Sequence, residues 1–188
     1  SRSSAASDVY KRQVFDIEID TKNIDEFIET VKNISPTFGG INLEDIKAPE
    51  AFEIERRLVD ELDIPVMHDD QHGTAIISGA ALINALELAN KKIGEIQMVI
   101  CGAGAAAISC AKMYKSLGVK KKNMLMFDSK GLININRKDL SLEKKLFASK
   151  NVEIESLADA INGSDVFIGL SKADMMSKEM LVSVSYTH

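Results

Sequence analysis

Two pairs of acids and one glycine-rich turn are the residues of this chain whose types and spacing can do chemistry. Glu44 and Asp45 follow one short apolar run, and Asp69 and Asp70 follow another. In open α/β sheets, ligands bind beyond the carboxyl ends of the strands. Acids just past two neighbouring strands would therefore share one edge. Anions packed together repel one another, so such a cluster needs a cation. Hard oxygen donors with no cysteine nearby suit Mg²⁺ or Mn²⁺ rather than zinc. The stretch His-Asp-Asp-Gln-His-Gly, 68–73, is polar between a strand and an apolar helix, and would line a cleft. Considered singly, the acids read as caps: Asp70 for the helix after it, Asp45 for the helix that follows Pro49. Together, the two pairs favour a metal. For His68 and His72, a packed or hydrogen-bonded role outweighs ligation.

The turn is Gly102-Ala103-Gly104-Ala105-Ala106-Ala107, a G-x-G-x-x-A pattern after Cys101. Gly102 allows a tight turn, and Gly104 lets backbone approach a pyrophosphate. Ala107 lets a helix pack close to its strand, and the helix N-terminus offers N–H groups to phosphate. The pattern alone is weak. Here an apolar strand precedes it, a helix follows, and Asp128 ends the next strand. A glycine turn in a nucleotide-free α/β unit is the plainer alternative, and that context weighs against it. Asp128 would accept a ribose 2′-hydroxyl, which favours NAD. Ser129, Lys130 and the nearby Arg137 form a cationic, hydroxyl-bearing loop that suits the 2′-phosphate of NADP. Both cofactors stand open at this point.

These residues need elements to position them. Ile24, Phe27, Ile28, Val31 and Ile34 form the stripe of a helix over 21–34, with Asn23 and Glu26 spaced as a capping box. A strand over 38–43, a helix opened by Pro49, and a strand over 64–67 follow. Residues 74–90 are small and apolar nearly all round, which predicts a helix buried on most sides that links two units. Then come a strand over 97–101, a helix over 105–117 closed by Gly118, and a strand over 123–127. Ser156 and Asp159 are spaced as a capping box for a helix over 156–162, and 166–170 is a further strand. Alternating strands and helices predict an α/β fold. It is a Rossmann-like doubly wound parallel sheet, preceded by the end of a smaller α/β substrate and metal domain. The division expected is 14–73 for that partial domain and 74–183 for an incomplete NAD(P)-binding domain.

Composition limits the rest. The chain has 188 residues, 45% hydrophobic and 27% charged, which are globular values. A net charge of −5 argues against binding nucleic acid by phosphate neutralisation. No apolar run reaches the roughly 18 residues of a membrane span. Two cysteines, Cys101 and Cys110, give neither a disulfide framework nor a zinc quartet and fit a reducing cytoplasm. Residues 1–13 and 184–188 resemble translated adapter sequence and are set aside as non-native tails. The first tail carries Arg2, Lys11 and Arg12 against Asp8, so the body is two charges more acidic than the whole.

Phe38-Gly-Gly-Ile-Asn-Leu-Glu-Asp-Ile-Lys-Ala-Pro-Glu-Ala-Phe-Glu-Ile-Glu55 closely resembles a malic-enzyme signature. So do Pro65-Val-Met-His-Asp-Asp-Gln-His-Gly-Thr-Ala75, the 102–107 loop and Phe127-Asp-Ser-Lys-Gly-Leu132. They occur in the family's order and at its spacings, from about Val14 to Val182. The resemblance implies oxidative decarboxylation of L-malate to pyruvate and CO₂, with NAD or NADP and Mg²⁺ or Mn²⁺, in a cytoplasmic homo-oligomer. Residue by residue, Glu44, Asp45 and Asp70 match the metal ligands. Asp69 matches the acid that positions the catalytic lysine, and Thr74 a threonine near the nicotinamide. The 102–107 loop matches the pyrophosphate site, and Asp128 the adenosine-ribose site. No lysine or tyrosine here matches the family's catalytic pair, nor does any segment match the asparagine-containing one beyond Met180. The chain by itself is therefore expected to turn over malate negligibly. A different Rossmann dehydrogenase, such as an amino-acid dehydrogenase, and a non-catalytic dinucleotide-binding module are the alternatives.

Overall fold

The computed structural model describes residues 13–183. Both strings read as non-native tails lie outside the described residues, apart from Gln13.

Helix α1 (Ile24–Ile34) turns its stripe inward and buries Ile28 and Val31. Asn23 caps it by accepting the backbone N–H groups of Asp25 and Glu26. The expected reciprocal half of a capping box is not formed. Glu26 accepts the Thr21 hydroxyl instead, at 2.7 Å, and Thr21 Oγ1 accepts the Asn23 N–H. Thr21 thus comes between the two expected partners. Strand β1 (Ile41–Leu43) is shorter than 38–43, because only these residues find a strand partner. After α2 (Glu50–Glu61), strand β2 (Val66–His68) pairs with β1 in parallel, Ile41 opposite Val66 and Leu43 opposite His68. Ile28, Val31, Leu43, Ile54 and Leu58 make a small core under this sheet.

Helix α3 (Asp69–Leu88) starts five residues before the position that periodicity indicates. The 68–73 stretch is therefore the entry to a helix and not a polar loop. Asp69 and Asp70 sit in its first turn, where free N–H groups favour negative charge. The expectation of burial on most sides is corrected. Ala75, Gly79, Leu82 and Leu86 are buried, while Ile77 is 74% and Leu88 89% exposed. One stripe has a partner among the described residues, and apolar composition alone could not show which. That stripe packs on α4 (Ala105–Leu117). The helices come close at Gly79, where a Cβ would lie 3.1 Å from Met113 Cγ and 3.3 Å from Leu117 Cδ1.

The second sheet contains β3 (Met98–Cys101), β4 (Met124–Asp128), the two-residue β5 (Gly131–Leu132) and β6 (Val166–Gly169). Its order is β5-β4-β3-β6, parallel except for the β4–β5 pair. Strand β3 is wholly buried. Met98 and Ile100 join the core beneath α3 and α4, while Val99 joins Phe127, Ala160 and Ile161 on the other face. There α6 (Leu157–Ile161) covers the sheet, opened by the expected Ser156–Asp159 capping box. Two minor helices, α5 (Leu142–Lys145) and α7 (Lys178–Ser183), complete a three-layer, Rossmann-like unit. The chain leaves β3 for β4 on one side and reaches β6 on the other, so the topological switch point lies at the carboxyl end of β3.

The two faces of α3 should respond differently to change. Gly79→Leu overpacks the α3–α4 contact and should cost about 1–3 kcal/mol. Ile77→Ser on the outer face should stay within about 0.5 kcal/mol. Thermal melts of the two variants check this, and equal effects would contradict the packing.

Candidate functional site

At the switch point the chain leaves β3 through Gly102, whose φ is +133°. Its N–H donates to the Phe127 carbonyl at 2.8 Å. A Cβ there would lie 2.3 Å from the Leu170 carbonyl oxygen, so the glycine is required by the fold itself. Gly104 differs: a Cβ on it would meet nothing within 4 Å. The fold leaves open the space that Gly104 frees. Gly104 is also the N-cap of α4, with no side-chain cap and no acid in the first turn. The first N–H groups of α4 are thus left for another acceptor. A cavity of about 510 Å³ adjoins, lined by Gly102, Ala103, Gly104, Asp128, Ser129 and Lys144, among others. Ala105 and Ala106 are half-buried, and Ala107 is buried against the sheet. These features fit a dinucleotide pyrophosphate.

Asp128 ends β4 at the rim of that cavity, its side chain 9% exposed. Its Oδ1 accepts Arg137 Nη1 at 2.8 Å and the Lys130 backbone N–H at 3.0 Å. Its Oδ2 accepts Arg137 Nη2 at 3.0 Å and Lys144 Nζ at 2.8 Å. A carboxylate has about four lone-pair sites, and all are taken. Burial works against this charge, but the hydrogen bonds from Arg137, then Lys144 and the Lys130 backbone, outweigh it. They hold the carboxyl well below the usual carboxylate range. Arg137 also binds Asp139, and Lys130 Nζ reaches Asp139 at 2.8 Å. The acid marked for a ribose hydroxyl is thus the centre of an ionic knot. No sequence signal marks the Lys144 contact, which comes from 16 residues away on α5.

The acid pairs leave the first sheet at one end, since β1 and β2 are parallel and Leu43 faces His68. Glu44 accepts Asn42 Nδ2 at 2.8 Å. Asp45 follows in the left-handed region, at φ 56°, and does not cap α2, whose N-cap is Pro49. Asp69 folds back over Gly73, where a Cβ would fall 2.1 Å from Asp69 Oδ1. Asp70 Oδ2 lies 3.7 Å from His68 Nε2, beyond hydrogen-bond range. His68 is fully buried, and His72 pairs with Glu55 at 2.8 Å. Thr74 is half-buried in the second turn of α3. The donors fit a hard cation in chemistry and share an edge. They are not gathered, however: among the described residues no three His, Cys, Asp or Glu side chains stand close enough to hold an ion. Glu55 is the residue that the sequence did not mark. No local signal distinguishes it from the other charges of α2.

Comparison with known proteins decides the family. Residues 71–186 match the family model described as malic enzyme, NAD binding domain, and residues 5–59 match malic enzyme, N-terminal domain. The chain belongs to the malic enzyme family. An NAD-dependent malic enzyme of Rhizobium meliloti (strain 1021) is 49% identical over 172 residues, covering 92% of this chain and 22% of that protein. An NADP-dependent malic enzyme of Halomonas elongata is 50% identical over 164 residues, covering 87% and 39%. The crystal structure of an NAD-dependent malic enzyme from Thermotoga maritima superposes with a TM-score of 0.87 at 38% identity, covering 95% of this chain and 48% of that one. The chain spans about a fifth to two fifths of these curated relatives' length. Membership of the malic enzyme family sets aside an amino-acid dehydrogenase. The α/β fold with a Rossmann-like NAD-binding unit is that of the malic enzymes.

Two outcomes follow for this site. Gly102→Ala should destabilise the chain by about 1–3 kcal/mol from backbone strain alone, whereas Gly104→Ala should stay within about 0.5 kcal/mol. Melts of both variants check this. A carboxyl held below its ordinary value stabilises the fold above that value and loses the effect as pH falls. The stability difference between wild type and Asp128→Asn should therefore be largest at neutral pH and shrink below about pH 4. Thermal melts across pH would reveal it, and a difference that does not vary with pH would contradict the knot.

Proposed function

We propose that the chain carries the metal-binding edge and the dinucleotide-binding unit of a malic enzyme, which oxidatively decarboxylates L-malate to pyruvate and CO₂ while reducing NAD⁺ or NADP⁺. The observation that carries this reading is the parallel register of β1 and β2, which brings both acid pairs out at one end. In this reading 14–73 belong to the substrate and metal domain and 74–183 to the cofactor domain, with α3 running through the boundary.

When bound, NAD(P)⁺ supplies the hydride acceptor and Mg²⁺ or Mn²⁺ an electrophile for developing negative charge. The chain's own residues bind and orient. Gly102 and Gly104 let the backbone approach the pyrophosphate, and the N-terminal N–H groups of α4 meet its charge. Ala103, Ala105 and Ala106 keep that loop free of bulk, and Ala107 keeps α4 close to β3. Asp128, Ser129 and Lys130 would border the adenosine ribose, Asp128 accepting a hydroxyl only in exchange for one of its present donors, and Thr74 would stand near the nicotinamide. Glu44, Asp45 and Asp70 would hold the divalent ion once drawn together from the shared edge of β1 and β2. Asp69 would orient the catalytic lysine of the family. The exposed Ile77 and Leu88 of α3 support an assembled, homo-oligomeric parent in which that face is covered. Among the described residues, no helix is long and apolar enough to cross a membrane. The composition and the bacterial relatives support work in the cytoplasm.

The reading predicts that the 188-residue chain binds Mn²⁺ and that Asp70→Asn weakens binding at least about tenfold. Electron paramagnetic resonance of free Mn²⁺ measures this, and unchanged binding would sink the metal assignment. Gly104→Val should keep the melting temperature and lose NAD(P)H binding, read by nucleotide fluorescence. Retained binding would remove the loop from the cofactor site.

A further inference from the structure

Glu55 is not used by the chemistry above, yet it is the best-connected acid near the metal edge. It stands on α2 with a side chain 14% exposed. Its Oε1 accepts the His68 backbone N–H at 2.9 Å and pairs with His72 Nε2 at 2.8 Å. Its Oε2 accepts Gln71 Nε2 at 3.2 Å. All three partners belong to the junction where β2 becomes α3 with no loop between them.

That junction lacks a cap of its own. The N-cap residue of α3 is His68, whose side chain makes no capping bond. Both its ring nitrogens are buried without a hydrogen-bond partner. A helix start without a local cap leaves backbone donors to be met from elsewhere. Glu55 meets the junction from a different helix, and its charge suits the positive end of α3. A second device acts from within. The missing side chain at Gly73 leaves the space into which Asp69 folds. The first turn of α3, which carries Asp69 and Asp70, is thus fixed from two directions. The other charged contacts of α2 lead elsewhere. Arg57 holds Asp25 of α1 at 2.6 Å, and Arg56 pairs within α2. Loss of Glu55 would free the start of α3 and leave α2 fastened to α1.

We infer that Glu55 is a positioning residue for the metal edge. It anchors the first turn of α3 so that Asp69 and Asp70 leave the sheet beside Glu44 and Asp45. This rests on the proposed metal role of Asp70 and deepens it.

The test uses the full 188-residue chain as wild type, Glu55→Ala, Glu55→Gln and Asp70→Asn. Hydrogen exchange without metal reads the anchor directly. In Glu55→Ala the His68 amide should exchange at least about tenfold faster, while the α1 amides and those of α3 beyond Ala75 keep their protection. Glu55→Gln keeps an acceptor oxygen and should lie between wild type and Glu55→Ala. Mn²⁺ affinity should fall about 10–100-fold in Glu55→Ala and less in Glu55→Gln, with NAD(P)H binding unchanged in both. An unchanged His68 amide in Glu55→Ala overturns the anchor. Mn²⁺ binding that is lost in Asp70→Asn but intact in Glu55→Ala overturns the positioning role and leaves the metal reading standing. Wild type that binds no Mn²⁺, or Asp70→Asn that binds it equally well, overturns the metal reading and the positioning role with it.

Discussion

The working face of this protein depends on one backbone approach, that of Gly102 to the Leu170 carbonyl. Strand β3 is buried on both faces, so the chain has to leave it along the strand axis. It leaves between β4 and β6, held by Gly102 N–H to Phe127 and by Leu170 N–H to Cys101. No Cβ fits in that gap. Once the exit is fixed, the start of α4 is fixed, and with it the free N–H groups beside the cavity. Helix α4 lies on α3 through Gly79, and α3 begins at the acids that follow β2. A missing side chain in the cofactor domain thus bears on where carboxylates stand about a helix length away.

The two ends of the molecule treat charge in opposite ways. At the end of β4 every acid meets a cation from the same loop region. Asp128 and Asp139 are held ionised by Arg137, Lys130 and Lys144. Such partly buried pairs stabilise the loop only while all partners stay in place. At the ends of β1 and β2, no lysine or arginine answers Glu44, Asp45, Asp69 or Asp70 among the described ion pairs. Neutralising the first site internally and leaving the second one bare is the electrostatic difference between a finished loop and a receptive edge.

What the sequence disclosed was written locally. The G-x-G-x-x-A turn, the bounds of α4 with its Gly118 stop, and the Ser156–Asp159 box each depend on residues a few positions apart. The same holds for the parallel alternation of strands and helices. What it hid was tertiary. Helix α3 starts early because Glu55, on another helix, serves the junction that His68 leaves uncapped. The Asp128 knot needed Lys144, which no motif ties to β4. Small apolar residues on every side of α3 could not reveal that, among the described residues, the Gly79 face is the one with a partner. The acid pairs were legible as neighbours through strand parity, but their present separation was not.

The saturated Asp128 carboxylate bears on cofactor engineering. In many dinucleotide folds, preference is recoded by exchanging the single acid that ends the second strand, as if it were an isolated letter. Here that residue is a shared counter-ion. Removing it would release Lys144 and leave Arg137 to Asp139, and a designer would alter the loop's rigidity along with any selectivity it confers. Under the proposed assignment, cofactor choice would be a collective property of five charged side chains, to be rewritten as a set.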